Sequence, residues 1–190
     1  MHIYLVFAHP SLNSFSGEVL DAFTRGLQES GHTYEVGDLY RMGFQSDMDV
    51  AQYEREMALI PEAPVPEDVL KEHEKINRAD ALSSIYMVWW SDCPAILKGW
   101  FDRVWNYGSD SHLHRLIYRR ILKKIGIVAG MHCIIIRDRL AGVGIKNVKM
   151  EILEGMLPST ESFKKRKLKT AYESGKEPVR QQLDYRMNNK

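Results

Sequence analysis

Residues 86–107, YMVWWSDCPAILKGWFDRVWNY, join an apolar strand to an amphipathic helix through a turn with two tryptophans. Pro94 indicates the helix start, because its fixed φ suits the first turn and its missing N–H would be unpaired there. Helical spacing then gives two adjacent apolar stripes and a polar side predicted to face solvent. The stripes are Ile96, Trp100, Val104 and Leu97, Phe101, Trp105, and the polar residues are Lys98, Asp102 and Arg103. So broad an apolar face predicts a second partner surface, and the aromatic turn suits a planar ligand beside a parallel sheet.

Strand-like and helix-like segments alternate on both sides of this stretch. Strands are predicted at 2–8 (HIYLVFA), 34–40 (YEVGDLY), 81–90 (ALSSIYMVWW), 125–130 (IGIVAG) and 148–156 (VKMEILEGM). Helices are predicted at 15–28, where Gly31 supplies the stop, at 67–79, after Pro94 and at 160–174. The nearly continuous apolar run of the first strand is typical of a strand buried on both faces. The alternation predicts a doubly wound, five-stranded parallel sheet with helices on both faces, although spacing alone leaves the strand order open.

Composition limits the function classes. A chain of 190 residues with a net charge of +1 predicts a single domain, 1–190, without electrostatic steering toward nucleic acid. Two cysteines predict reduced thiols in a cytoplasmic protein, and no run is long and apolar enough for a transmembrane segment. His112 and His114 lack supporting acidic or cysteine ligands, so we expect no metal. The basic run KKRKLK at 164–169 is interpreted as a solvated helix face. Hydrolase, P-loop and zinc-protease motifs are absent.

Three segments carry a family resemblance. WWSDCPAILKGWFDRVW, the opening VFAHPSLNSFSGEV and the intervening DLYRMGF occur in the same order as in the NAD(P)H:quinone oxidoreductases, which are flavodoxin-like flavoproteins. The chain resembles this family closely from residue 1 to about 107 and again near 146. The resemblance implies a flavodoxin-like strand order with a crevice between the first and third strands. It also implies a homodimer with flavin sites at the subunit boundary, FAD as cofactor with FMN as the alternative, NAD(P)H as electron donor and a quinone as acceptor.

The loop after the first strand is the candidate phosphate site. Ala8-His9-Pro10 ends the strand, and small hydroxyl residues precede a helix whose N-terminus offers unpaired N–H groups to an anion. The residues alone favour a plainer interpretation, in which Ser14 or Ser16 is an N-cap and His9 an ordinary loop histidine. The resemblance reverses this preference and implies that His9, Ser14, Phe15 and Ser16 hold the flavin phosphate.

The candidate ring contacts follow the third and fourth strands. The resemblance assigns them to Val88, Trp89, Trp90, Ser91, Ala129 and Gly130. The alternative is that the two tryptophans fill the core or a dimer contact. The chain departs from the family after Gly130, because residues 131–145 contain no tyrosine, so no catalytic residue is assigned. Two function classes remain open: a ping-pong flavin oxidoreductase, and a non-catalytic flavodoxin-like regulatory or binding subunit with weak or absent flavin binding.

Overall fold

A computed structural model describes residues 1–58, 63–90, 92–105, 125–129, 148–153 and 160–178, with the segments 125–129 and 148–152 described by their backbone. Strands and helices alternate along these ranges. The strands are β1 (His2–Ala8), β2 (Thr33–Asp38), β3 (Ala81–Tyr86), β4 (Ile125–Ala129) and β5 (Val148–Ile152). The helices are α1 (Phe15–Glu29), α2 (Val50–Ala58), α3 (Glu67–Arg78), α4 (Ala95–Val104) and α5 (Glu161–Lys176).

The strands form one sheet in the order β2-β1-β3-β4-β5, and every neighbouring pair is parallel. The chain adds β2 on one side of β1 and then crosses over to add β3 on the other side. The switch point therefore lies between β1 and β3, and ligands of open α/β sheets bind outside the carboxyl ends of the strands at such a point. The predicted flavodoxin-like α/β fold with a parallel sheet is confirmed.

Helices cover both faces of the sheet, and β1 is the centre of the core. Tyr4, Val6 and Ala8 point toward a cluster built with α3 and α4, whereas the alternate residues Ile3, Leu5 and Phe7 point toward α1 and α5. All six of these side chains are fully buried. The prediction that β1 is buried on both faces is confirmed.

Two element boundaries differ from the sequence predictions. β3 ends at Tyr86 rather than at residue 90, because Trp89 pairs with Asp92 in a tight turn that leaves the sheet. Helix α2 was not predicted. Its buried residues are Gln52 and Arg55, whereas its apolar residues Val50, Tyr53 and Met57 are exposed, so its apolar stripe does not mark the buried face.

The apolar stripes of α4 pack within the chain. Leu97, Trp100, Phe101 and Val104 are buried in the α3–α4 side of the core, and Ile96 and Trp105 pack against the same cluster. This intramolecular packing explains the breadth of the apolar face. The predicted homodimer stays a prediction, and it now rests on the family resemblance rather than on this face.

The predicted exposure of Arg103 is wrong. Arg103 is only 4% exposed, and its guanidinium donates to both carboxylate oxygens of Asp68, at 2.5 and 2.9 Å. It also donates to Gln52 Oε1 at 2.9 Å and to the carbonyl oxygen of Gln45 at 2.5 Å. Burial raises the pKa of Asp68, but the hydrogen bonds and charge of Arg103 outweigh that effect and hold the pKa below its ordinary value. Arg103 thereby links α4 to α2 and α3.

Within the described ranges, no helix has the length and apolar character needed to cross a bilayer.

Candidate functional site

Strand register brings the three predicted loops to one place. Ala8 lies opposite Tyr86, and Tyr86 lies opposite Ala129, so β1, β3 and β4 end side by side at the carboxyl edge of the sheet. Because neighbouring strands are about 4.8 Å apart, the three loops begin within about 10 Å of one another. The predicted phosphate loop and the two predicted ring loops therefore start from adjacent positions at the switch point.

The N-terminus of α1 contains an ordinary cap and two unused donors. Ser14 is the N-cap; its Oγ accepts the N–H of Gly17 at 3.1 Å and donates to the carbonyl oxygen of Ser11 at 2.7 Å. The N–H groups of Phe15 and Ser16 meet no acceptor in the part of the chain that the structure describes. Unpaired N–H groups at a helix N-terminus carry partial positive charge and bind anions. The anion-binding capacity of this loop therefore lies in the backbone.

Gly17 holds the loop against the helix. A Cβ atom at this position would lie 1.9 Å from the carbonyl oxygen of Leu12. That oxygen also accepts the N–H of Ser14 at 2.9 Å, which keeps the loop folded over the first turn. Only glycine permits this approach, so Gly17 contributes to the placement of the free N–H groups although the sequence prediction did not include it.

His9 follows β1 at the start of the same loop and is 8% exposed. Its Nδ1 is 2.7 Å from the carbonyl oxygen of Ser11 and 3.1 Å from the N–H of the same residue. These two contacts hold the imidazole ring against the backbone of Ser11.

A two-residue turn follows β3. The N–H of Trp89 donates to the carbonyl oxygen of Asp92 at 2.9 Å, and the reverse bond measures 3.0 Å. Asp92 Oδ1 accepts the N–H of Cys93 at 2.7 Å, which ties the turn to the start of α4. Trp90 has φ +48° and is the one described non-glycine residue in the left-handed region. Such a conformation costs about 1–3 kcal/mol, and such strain is commonly found at functional sites.

The two tryptophans of this turn are not core residues. Trp89 is 55% exposed and Trp90 is 98% exposed, whereas Val88 packs against the core. Filling of the core is therefore excluded as the reason for the aromatic pair. Of the other predicted ring contacts, Ala129 ends β4, whereas Ser91 and Gly130 lie outside the described residues.

A buried carboxylate supports both sides of the site. Glu72 is fully buried and accepts hydrogen bonds from Trp100 Nε1 at 2.7 Å, from Lys75 Nζ at 2.6 Å and from the hydroxyl of Tyr4. Burial, and then the negative charge of Glu72, raises the pKa of Tyr4 above its ordinary value. Glu72 thus connects α3 to β1, which leads into the phosphate loop, and to α4, which follows the aromatic turn.

The sequence of α3 carries a signal for this network. Positions 69, 72, 73 and 76 form one stripe of α3, and all four are buried. The stripe holds Val69 and Ile76 together with Glu72 and His73, so two polar residues fall on the core-facing side.

Comparisons with known proteins agree with this fold. Residues 1–117 match the family model described as Flavodoxin-like fold. A ribosyldihydronicotinamide dehydrogenase-like protein of Penicillium crustosum is 34% identical over 120 residues, which cover 57% of this chain and 45% of that protein. An uncharacterized NAD(P)H oxidoreductase of Haemophilus influenzae is 35% identical over 109 residues, which cover 57% of this chain and 52% of that protein.

A solved structure matches nearly the whole chain. The NAD(P)H:quinone oxidoreductase from Methanothermobacter marburgensis is 47% identical with a TM-score of 0.85, and the match covers 97% of this chain and 99% of that one. The chain spans about half the length of the curated relatives it matches. On these matches the chain belongs to the flavodoxin-like family that includes these NAD(P)H oxidoreductases.

Proposed function

We propose that this chain is a flavin-dependent oxidoreductase that transfers two electrons, as hydride, from NAD(P)H to a quinone-like acceptor by a ping-pong route. The observation that carries the proposal is the register of Ala8, Tyr86 and Ala129, which brings the phosphate loop and the aromatic turn to the switch point. The names of the relatives support the reaction class.

The residues present fit a flavin phosphate and a flavin ring. The N–H groups of Phe15 and Ser16 would hold the phosphate, with His9 beside them and Ser14 as the cap. The ring would lie along the backbone of Val88, Trp89, Trp90 and Ser91 with Ala129 and Gly130. FAD is the proposed cofactor and FMN the alternative. When bound, the flavin supplies the two-electron chemistry, and the chain supplies binding and orientation.

Orientation is the contribution that this chain's own residues can make. The flavin would be anchored at one end by α1 and bounded at the other end by the closed Trp89–Asp92 turn. These two contacts would restrict the orientation of the ring. Positioning two reactants in this way can remove several kcal/mol from a reaction barrier. No side chain is assigned as an acid or base.

The test is the absorbance of the purified protein under anaerobic conditions. We expect the bands of oxidised flavin, their bleaching by NADH or NADPH, and their return when benzoquinone is added. Parallel double-reciprocal plots would support the ping-pong route. Bound flavin that neither nicotinamide reduces, or no flavin at all, would select the second class, a non-catalytic regulatory or binding subunit.

The phosphate position has a separate test, Ser16→Glu. A carboxylate about 4 Å from a phosphate charge costs about 4 kcal/mol at an effective dielectric constant of about 20, which is several-hundredfold in Kd. Ser30→Glu at the other end of α1 is the matched control and should leave flavin affinity unchanged. Equal affinities of the two variants in a flavin titration would place the phosphate elsewhere.

The remaining proposals concern organisation. We propose one domain over residues 1–190, a five-stranded sheet, a homodimer and a cytoplasmic location. The continuous parallel register from β2 to β5 supports the strand number. The family resemblance supports the dimer, and light scattering at micromolar concentration tests it.

A further inference from the structure

Met42 contacts Lys75 across an open groove. The groove lies between the loop after β2 and helix α3, and its volume is about 610 Å³. The sulfur atom of Met42 lies 3.7 Å from Nζ of Lys75, and Met42 is 42% exposed. A thioether sulfur is only a weak hydrogen-bond acceptor. An oxygen atom bonded to this sulfur would be a much stronger acceptor beside the same ammonium group.

Backbone hydrogen bonds fix the position of Met42. Its N–H donates to the carbonyl oxygen of Asp38 at 2.9 Å, and the N–H of Phe44 donates to that of Leu39 at 3.0 Å. Gly43 lies between these two donors with φ +60°, a conformation that glycine adopts without strain. The turn therefore holds the sulfur beside α3 through backbone contacts that do not depend on the side chain of Met42.

Lys75 is equally well placed as a donor. Its Nζ donates to the buried carboxylate of Glu72 at 2.6 Å and lies 5.6 Å from the centroid of the Tyr4 ring. The side chain of Lys75 is only 17% exposed. An ammonium group carries three N–H donors, and Glu72 accepts one of them. Within the described residues, Lys75 can therefore accept a further partner in the groove without leaving Glu72.

We propose that Met42 is a site of reversible oxidation and that Lys75 binds the oxygen of the resulting sulfoxide. The sulfur lone pair attacks one oxygen of hydrogen peroxide, and the O–O bond breaks. The proton of the transferred hydroxyl passes to the departing hydroxide, which leaves as water. The sulfur is thus oxidised by two electrons and the peroxide is reduced. A methionine sulfoxide reductase reverses the change.

The consequence is a hydrogen bond that joins the loop after β2 to α3 only in the oxidised chain. Exposure alone does not define such a site. Met57 is 66% exposed, but no donor contacts its sulfur in the part of the chain that the structure describes. A flavin oxidoreductase working in air would itself be a source of peroxide; this link rests on the proposed function, whereas the modification does not.

Peptide mass spectrometry and limited trypsin digestion test the proposal, because the bond after Arg41 is a tryptic site within the loop itself. The full chain is treated with hydrogen peroxide, and Met42 should gain one oxygen atom. Folded molecules that carry this oxygen should be cut after Arg41 about fivefold more slowly than unmodified ones, which corresponds to roughly 1 kcal/mol of added loop stability. Methionine sulfoxide reductase should restore the original cleavage rate.

Lys75→Gln removes the donor, because the glutamine side chain is one bond shorter and uncharged. Oxidised and unoxidised loops of this variant should be cut at equal rates, which also controls for an effect of the sulfoxide on trypsin itself. Lys71→Gln is the matched control, one turn earlier on the same helix with a side chain that is 64% exposed. Oxidation should slow cleavage of this control as much as it slows cleavage of the wild-type chain.

A second pair of variants leaves Lys75 unchanged and needs no oxidant. Met42→Gln carries an amide oxygen that branches from the same δ position as the sulfoxide oxygen, whereas Met42→Leu offers no acceptor. Cleavage after Arg41 should therefore be slower in Met42→Gln than in Met42→Leu. Three results would overturn the proposal: no oxygen on Met42, equal cleavage of the oxidised and unoxidised wild-type loops, and equal slowing by oxidation in Lys75→Gln.

Discussion

Replacing Glu72 by glutamine tests whether the buried carboxylate joins α3 to both sides of the site. Three donors converge on it: the hydroxyl of Tyr4, Nε1 of Trp100 and Nζ of Lys75. Glutamine has nearly the same shape, but it offers one oxygen and one NH₂ group. In any rotamer the NH₂ group of the glutamine must then face at least one of the three donors.

The magnitude follows from the burial of the partners. Breaking a fully buried ion pair costs about 3–5 kcal/mol. The side chain of Lys75 is 17% exposed and can turn toward water, which lowers that cost. A hydrogen bond to a charged acceptor contributes about 1.5–3 kcal/mol, and Tyr4 and Trp100 have no route to solvent because both are fully buried. We therefore expect Glu72→Gln to lower the free energy of unfolding by about 2–4 kcal/mol.

Urea denaturation followed by circular dichroism measures this change. Glu74→Gln is the matched control: it makes the same substitution two residues later on the same helix, at an exposed position. The control should stay within about 0.5 kcal/mol of wild type, as surface substitutions usually do. Two variants of equal stability would show that the carboxylate of Glu72 does not serve Tyr4 and Trp100 in solution.

Three further predictions concern single residues. Burial, and then the charge of Glu72, raises the pKa of Tyr4, so the folded state holds the phenolic proton more tightly than the unfolded state does. The resulting contribution to the free energy of unfolding is complete below the unfolded-state pKa of about 10. Above that pH it falls by up to about 1.4 kcal/mol per pH unit. Urea titrations should thus show the stability gap between wild type and Tyr4→Phe shrinking above about pH 10, and a constant gap would contradict the burial of the phenol. Gly17→Ala would place a Cβ 1.9 Å from the carbonyl oxygen of Leu12, so it should lower stability by about 1–3 kcal/mol and weaken flavin binding; unchanged values in denaturation and titration would mean that the loop yields freely. Trp90→Gly relieves a φ of +48° at a 98% exposed side chain and should raise the free energy of unfolding by about 0.5–1 kcal/mol, whereas a decrease would show that the ring packs on the protein.

The sequence predicts well wherever burial follows residue type. The apolar run of β1 correctly indicates a strand covered on both faces, and helix α1 ends one residue from its predicted bound. Gly31 follows that helix at φ +74°, the conformation in which glycine ends helices. These features depend on local spacing and on backbone preference, both of which a sequence displays directly.

Prediction fails where a polar group is buried by a partner distant in sequence. Arg103 falls on the polar side of α4 by helical spacing, yet Asp68 and Gln52 enclose its guanidinium. Helix α2 is missed for the related reason that Gln52 and Arg55 occupy its buried positions. Periodicity shows which positions share a face, but it does not show that a charged side chain will find a buried partner there.

The phosphate loop likewise contains one feature that the sequence predicts and one that it does not. The residues alone predicted Ser14 or Ser16 as an N-cap, and the hydroxyl of Ser14 does cap the helix. The donors left for an anion are the backbone N–H groups of Phe15 and Ser16, which every non-proline residue carries. The sequence must therefore fix the path of the backbone at this point. Gly17 does so because, without a Cβ, it allows the carbonyl oxygen of Leu12 to approach closely. Flavin binding should accordingly tolerate Ser16→Ala better than Gly17→Ala, because the first variant removes one hydroxyl and the second displaces the loop that places both N–H groups.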